Sequence, residues 1–125
     1  RVEAIITAEN PVTAARSYSL DLAQGLLKGA DLGRVIRQCV ELGISGFYPL
    51  VTERCVSRPG RGGGRWSRIA AEAARQSGQG LVPPVHEPLP WTEFLSLGSA
   101  YDLRLLAWEE EEELSLKNAL ADFSP

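Results

Sequence analysis

The stretch ELGISGFYPLVTERCVSR, residues 41–58, decides the fold. It indicates the end of a helix, a glycine that terminates this helix, one buried strand and polar residues immediately after the strand. Gly43 stands where a left-handed residue commonly ends a helix. The apolar run that begins at Phe47 has the length of a strand and is bounded by glycine before and by charge after. In an open parallel sheet, ligands collect beyond the carboxyl ends of the strands. The polar residues at that end here are Thr52, Glu53 and Arg54.

The residues before this stretch predict a strand and an amphipathic helix. Apolar and polar residues alternate from Tyr18 to Leu22, which predicts a strand that runs on to Lys28. Asp31 is a fair N-cap, and apolar residues follow it at helical spacing, Leu32, Val35, Ile36, Cys39 and Val40. We predict that Cys39 belongs to the core, as buried cysteines usually do. A strand, a helix and a strand over about thirty residues form a βαβ unit with parallel strands.

The residues after this stretch begin with a glycine-rich segment, 57–64. It is compatible with a phosphate cradle or with a surface loop, and we favour the loop because the Lys-Ser/Thr pair of a P-loop is missing. Trp66, Ile69 and the alanines at 70, 73 and 74 then predict a helix that ends near Gly78.

The last third of the chain predicts shorter elements. Residues 82–85 are expected to form a short strand, and because Pro83 and Pro84 interrupt it we expect an edge position or a strand end. The single histidine, His86, follows that strand, and we expect no catalytic role for it. A short helix is predicted at residues 91–95, a buried parallel strand at residues 103–108, and a final short helix around residues 114–123. The five glutamates at 109–113 are expected to form a solvated loop.

Composition restricts the class of protein. The chain has 125 residues, enough for one domain, and a net charge of −3, which excludes a generic polyanion binder. No apolar run approaches the roughly 20 residues of a membrane span, and the first residues do not show the pattern of a signal peptide. Two cysteines without zinc-ligand spacing predict a reduced, cytoplasmic location and no metal. Because the sequence lacks methionine and begins at Arg1, we expect a fragment or a processed chain.

Positive charge is concentrated in one part of the sequence. Between residues 54 and 75 there is one acid, Glu72, and six arginines, at positions 54, 58, 61, 65, 68 and 75. Arginines on a glycine-rich loop and one helix face are typical of contact with a phosphate backbone. Arginine also favours bidentate phosphate recognition over the point charge of lysine. The alternative is a solvated helix face with intramolecular ion pairs, and composition alone leaves both open.

Several motifs in order resemble one family. They are Lys28-Gly29, Glu41-Leu42-Gly43, Pro49-Leu50-Val51-Thr52-Glu53-Arg54, Arg65-Trp66-Ser67-Arg68-Ile69, Glu72-Ala73-Ala74 and Gln76-Ser77-Gly78. Together they resemble the RsmE family of 16S rRNA uridine-N3 methyltransferases, of the SPOUT (knotted α/β) class. The resemblance implies a parallel α/β sheet flanked by helices, of four or five strands, and lacking the C-terminal knot. It also implies that residues 15–125 are the N-terminal part of the methyltransferase domain, and that residues 1–14 are a linker or the end of a PUA-like domain.

The resemblance also implies the activity and the residues that serve it. The methyl group of S-adenosylmethionine is transferred to N3 of a uridine in small-subunit rRNA, although the family's main cofactor-binding segment has no counterpart here. Ala107, Trp108 and Glu109 are expected to form one wall of the cofactor pocket. The residues expected to contact RNA are Lys28, Arg54, Arg58, Arg65, Arg68 and Arg75. Thr52, Glu53, Glu72 and Gln76 match the family motifs, and Glu53 and Glu72 are expected to hold arginines in place. A homodimer is expected because the missing knot leaves a sheet edge uncovered.

Overall fold

The computed structural model describes residues 18–55, 63–121 and 123. Its elements, in chain order, are β1 (Asp21–Gly25), α1 (Asp31–Leu42), β2 (Gly46–Val51), α2 (Gly63–Ser77), β3 (Leu89–Pro90), α3 (Trp91–Ser96), a 3₁₀ turn (Leu97–Ala100) and α4 (Leu116–Ala121). The strand predicted between Tyr18 and Lys28 is present but shorter, at Asp21–Gly25. The strand predicted at residues 46–51 and the helices predicted after Asp31 and around Trp66 are confirmed. The predicted linker at residues 1–14, and most of the glycine-rich segment, lie outside the described residues.

The sheet is parallel, as predicted, with strand order β1-β2-β3. Asp21 lies opposite Gly46, and Gly25 lies opposite Leu50. Because both strands run in the same direction, their carboxyl ends share one edge of the sheet. The described part of the chain contains three strands rather than the predicted four or five.

Helix α1 is amphipathic and ends as the sequence predicts. Leu32, Ile36 and Val40 are buried, and Gly43 adopts the left-handed conformation with φ 88°. The predicted N-cap was wrong by one position, because the cap residue is Ala30 and makes no side-chain cap hydrogen bond. Asp31 is instead the first residue of the helix, where its negative charge interacts favourably with the helix dipole. Its carboxylate also lies 3.8 Å from the Arg34 guanidinium.

The strand predicted at residues 82–85 was wrong in extent, because Pro83 and Pro84 have no N–H to donate to a ladder. Pro49 accounts for the gap that follows Val85. Val85 makes a single bridge to Phe47, whose N–H donates to the Pro84 carbonyl, and the ladder resumes only at Leu89. Residues two apart on a strand direct their N–H groups to the same side. Pro49 has no N–H to offer on that side, so the ladder is interrupted beside it.

The core lies between the sheet and the helices α1 and α2. Phe47 is fully buried there in one cluster with Ile36 of α1 and Ala70 of α2, and Cys39 packs against this cluster as predicted. The two helices approach closely, since a Cβ built on Gly33 would lie 2.9 Å from Cδ1 of Ile69. Tyr48 alternates with Phe47 along β2 and therefore lies on the opposite face, where α3 packs.

The buried strand predicted at residues 103–108 was wrong. These residues pair with none of the described strands, and Leu105, Leu106 and Trp108 are 49%, 75% and 58% exposed. An apolar run becomes a strand only beside an open edge that can pair with its backbone, and the run itself does not specify that neighbour. The short helices predicted before and after it are present as α3 and α4, and the glutamates at 109–113 are exposed as expected.

Candidate nucleic-acid interface

The site predicted at the carboxyl ends of the strands is present as a polar edge. Lys28 follows β1, and Thr52, Glu53 and Arg54 follow β2 directly, so the parallel strands bring both segments to the same edge. All four residues are exposed. The edge therefore carries two cations and a carboxylate in contact with solvent.

A compact turn carries Glu53 and Arg54. The Cys55 N–H donates to the Thr52 carbonyl at 3.1 Å, which closes a four-residue turn. The Cys55 sulfur lies 3.4 Å from the Thr52 nitrogen, 3.2 Å from Thr52 Oγ1 and 3.6 Å from the Leu50 carbonyl oxygen. Cys55 was absent from the predicted site. Its position three residues after Thr52, at the end of a strand, is the sequence signal for such a turn.

Burial and hydrogen bonding shift the pKa of the Cys55 thiol in opposite directions. Partial burial raises the pKa of this thiol. The hydrogen bonds from the Thr52 side chain, the Thr52 backbone and the Leu26 backbone together lower the pKa by more than burial raises it, so the net shift is downward. By contrast, burial alone raises the pKa of the Cys39 thiol. The two cysteines therefore occupy different environments, one packed in the core and one bonded into a turn.

Helix α2 presents the predicted basic stripe. Five exposed residues, separated in turn by three, four, three and one positions, lie along one face of the helix. They are Arg65, Arg68, Glu72, Arg75 and Gln76. From Arg65 to Arg75 the stripe extends about 15 Å along the helix axis. Arg58, which was also predicted to contact RNA, lies outside the described residues. We refer to Arg65, Arg68 and Arg75 as the arginine stripe.

The arginines of the stripe are not engaged by carboxylates. Within residues 18–55 and 63–121, the ion pair shorter than 4.0 Å joins Arg34 to Asp31, both on α1. Neither Glu53 nor Glu72 makes such a pair with a described arginine, so the structure does not support their predicted role in holding Arg54 or Arg68. The guanidinium groups remain available to a ligand in solution.

The predicted cofactor wall does not form an enclosure. Ala107, Trp108 and Glu109 are exposed and lie outside regular secondary structure, because the strand on which their placement depended is not formed. A groove of 330 Å³ lies instead at the opposite, amino-terminal end of the strands, lined by Tyr18, Ser45 and Pro84 among others. The three residues therefore do not fit an S-adenosylmethionine pocket by themselves.

A second group of polar and aromatic side chains lies on the face of the sheet opposite α1 and α2. His86 stacks on Tyr48 with ring centroids 4.0 Å apart, and Phe94 packs against the same tyrosine. The Tyr101 hydroxyl donates to Asp21 Oδ2 at 2.7 Å. Burial, followed by the neighbouring Tyr48 hydroxyl and the Asp21 carboxylate, raises the pKa of Tyr101 well above its ordinary value of 10.0. His86 thus packs against Tyr48 on this face of the sheet.

The described part of the chain contains neither a membrane-spanning helix nor a metal-binding cluster. No helix there has the length and apolar character needed to cross a membrane. No group of three or more His, Cys, Asp or Glu side chains there is arranged to hold a metal ion.

The structure is a parallel α/β domain with an exposed cationic edge, and comparison with known proteins supplies the family. A family model described as an RNA methyltransferase domain matches residues 14–124. The chain belongs to this RNA methyltransferase domain family.

Two curated relatives carry the name ribosomal RNA small subunit methyltransferase E. The protein of Synechocystis is 44% identical over 75 residues, which make up 59% of this chain and 25% of the relative. The protein of Bacillus subtilis is 31% identical over 127 residues, covering 95% of this chain and 48% of the relative. The chain thus spans about half or less of the length of these relatives.

Solved structures agree with this assignment. A crystal structure described as a hypothetical protein superposes with a TM-score of 0.70 at 31% identity, over 73% of this chain and 39% of that one. The ribosomal RNA small subunit methyltransferase E of Neisseria gonorrhoeae, bound to S-adenosylmethionine, has a TM-score of 0.59 at 32% identity and covers 63% of this chain and 33% of its own.

Proposed function

We propose that this chain is part of an S-adenosylmethionine-dependent methyltransferase that modifies N3 of a uridine in small-subunit rRNA. The observation that carries the proposal is the match of residues 14–124 to the RNA methyltransferase domain. The identity of 31% across 95% of the chain to a ribosomal RNA small subunit methyltransferase E supports the choice of substrate class. The uridine N3 position and the SPOUT class are what the resemblance of the sequence motifs to the RsmE family implies.

The arginine stripe and the edge residues Lys28 and Arg54 are proposed to contact the rRNA backbone, together with Arg58. The described members are exposed and have no carboxylate partner within 4.0 Å among residues 18–55 and 63–121, so their charge is accessible to a phosphate. Arginine offers two parallel N–H donors to a phosphate, which adds orientation to charge. Thr52, Glu53, Glu72 and Gln76 are proposed to shape this surface rather than to carry out the chemistry.

We propose that these 125 residues do not complete the cofactor site. S-adenosylmethionine, when bound, supplies an electrophilic methyl group. The described residues at the predicted cofactor wall are exposed, and the chain covers 48% of the Bacillus subtilis relative. We therefore expect that the chain alone binds RNA and transfers no methyl group. Its residues from 15 onward are proposed as the N-terminal part of the domain, within a cytoplasmic homodimer.

A second candidate function is RNA binding without catalysis. The free arginine stripe favours it, because the stripe requires no cofactor to bind RNA. The two candidates share the surface and differ in whether the longer protein transfers a methyl group.

The test combines RNA binding with methyl transfer. The affinity of the chain for a labelled 16S rRNA hairpin is measured over a range of salt concentrations, and transfer of labelled methyl from S-adenosylmethionine is measured with the full-length protein. Each phosphate contact is expected to contribute about −0.7 to −0.9 to the log–log slope. A slope near zero overturns the proposed interface. RNA binding without methyl transfer by the full-length protein favours the second candidate.

A further inference from the structure

One sulfur atom holds the turn at the end of β2. The Thr52 N–H, the Thr52 hydroxyl and the Leu50 carbonyl all lie within 3.6 Å of Cys55 Sγ. A single arrangement of protons satisfies every contact, in which Thr52 donates twice to sulfur and the thiol donates to Leu50. Each bond to sulfur is weak by itself, but the three act on the same turn.

The sulfur also connects the turn to the neighbouring strand. The Leu50 carbonyl that accepts from the thiol also accepts from the Leu26 N–H at 2.9 Å. A Cβ built on Gly25, the last residue of β1, would lie 4.0 Å from Cys55 Sγ, which is ordinary van der Waals distance. Cys55 itself packs against the hydrophobic core. The turn is therefore attached to the ends of both strands.

The corner of this turn carries Glu53 and Arg54, both exposed. Neither has a described ion-pair partner that orients its side chain. The direction in which Arg54 leaves the sheet edge is therefore set by the backbone of the turn. A backbone that is fixed before binding reduces the conformational entropy lost when RNA is bound.

We propose that Cys55 is a positioning residue for RNA recognition, which holds the Thr52–Cys55 turn so that Arg54 is presented to a phosphate. This inference rests on the proposed function. It adds a residue that contacts no RNA and acts only through Arg54.

The experiment is a double-mutant cycle on the full 125-residue chain, with a labelled 16S rRNA hairpin as the probe. The variants are Cys55→Ala, Arg54→Ala and the combination of both. Cys55→Ser serves as the conservative rescue, because a hydroxyl donates and accepts in the same places. The matched control is Cys39→Ala, which removes a half-buried thiol that packs against the same core but lies outside the turn.

We expect Cys55→Ala to weaken RNA binding about five-fold, the effect of losing one ordinary hydrogen bond, and to have no effect once Arg54 is alanine. Cys55→Ser restores most of the affinity, and Cys39→Ala leaves it unchanged. An equal loss from Cys55→Ala in both backgrounds overturns the inference, because it indicates general unfolding rather than action through Arg54.

Two further outcomes separate this inference from the proposed interface. If Arg54→Ala leaves affinity unchanged, Arg54 is not a phosphate contact and both ideas fail at this residue. If Arg54→Ala weakens binding while Cys55→Ala does not, only the positioning role fails. Should Cys55→Ala not fold, Thr52→Val takes its place, since it removes one exposed hydroxyl donor to the sulfur. A variant that folds and keeps full affinity then overturns the inference.

Discussion

The Tyr101 hydroxyl donates a hydrogen bond of 2.7 Å to the Asp21 carboxylate, joining residues 80 positions apart in the chain. The bond ties the segment after the 3₁₀ turn to the first residue of β1. Gly46 makes room for it, because a Cβ at that position would lie 2.8 Å from Asp21 Oδ1. The segment that leads to Ala107–Glu109 is thereby attached to the sheet without forming a strand.

Loss of this bond is expected to destabilise the chain. Tyr101→Phe removes the donor and keeps the ring, so we expect a decrease of about 1 kcal/mol in the free energy of unfolding, as for a typical hydrogen bond. Urea unfolding followed by circular dichroism measures it. Tyr18→Phe is the control, since Tyr18 is 58% exposed. Equal stability of Tyr101→Phe and the wild type would contradict the prediction.

The same bond predicts how stability changes at alkaline pH. The raised pKa means that folded Tyr101 keeps its proton at a pH where the unfolded chain loses it. The contribution is therefore complete below the ordinary pKa of 10.0 and decreases as the pH rises above it. We expect the stability difference between the wild type and Tyr101→Phe to shrink above this pH in urea titrations. A difference that is constant across the alkaline range argues against the raised pKa.

The close approach of α1 and α2 predicts a coupled pair of substitutions. Gly33→Ala improves helix propensity by up to about 1 kcal/mol, but the new methyl group meets Cδ1 of Ile69 at 2.9 Å. We therefore expect Gly33→Ala to be more favourable in an Ile69→Val background, where that methyl is absent. The expected coupling is at least about 0.5 kcal/mol by chemical denaturation. Additive effects would show that the helices separate freely.

The first half of the fold was predictable because its signals are local. The spacing of Leu32, Ile36 and Val40 defines one face of α1, and Gly43 ends the helix in the conformation that glycine tolerates best. The strand at Gly46–Val51 and the exposure of the arginine stripe follow from periodicity in the same way. Each of these predictions depends on residues within two or three turns of one another.

The rest of the fold depends on strand pairing and tertiary contacts, which the periodicity of apolar residues does not predict. The break beside Pro49 depends on which side of β2 the third strand joins. The apolar residues at 103–108 pair with none of the described strands, and no local pattern specifies which strand a segment will pair with. The contacts of Cys55 with Thr52 and of Tyr101 with Asp21 depend on a turn and on tertiary packing, respectively. The predictions from sequence were therefore wrong for the segment 103–108 and did not include the contacts of Cys55 and Tyr101.

The apolar residues left exposed after α3 predict self-association. Leu106 and Trp108 are 75% and 58% exposed, and exposed apolar surface of this kind favours association. We expect Leu106→Ser combined with Trp108→Ser to shift the chain towards the monomer in sedimentation velocity. Leu42→Ser is the control, since Leu42 is 87% exposed at the end of α1. A wild-type chain that remains monomeric at all concentrations removes this surface as the basis of the proposed dimer.

The arginine stripe predicts a specific change in salt dependence. Arg68 lies on the exposed face of α2, and Arg37 lies exposed on the neighbouring helix α1 outside the family motifs. If Arg68 contacts a phosphate, Arg68→Ala reduces the magnitude of the log–log slope by about 0.7 to 0.9, because one fewer counterion is released. Arg37→Ala removes the same formal charge without a phosphate contact, so we expect its slope to equal that of the wild type. Equal slopes for the two variants would indicate that RNA responds to the net charge of the chain rather than to the stripe, and the proposed interface would then have to lie elsewhere.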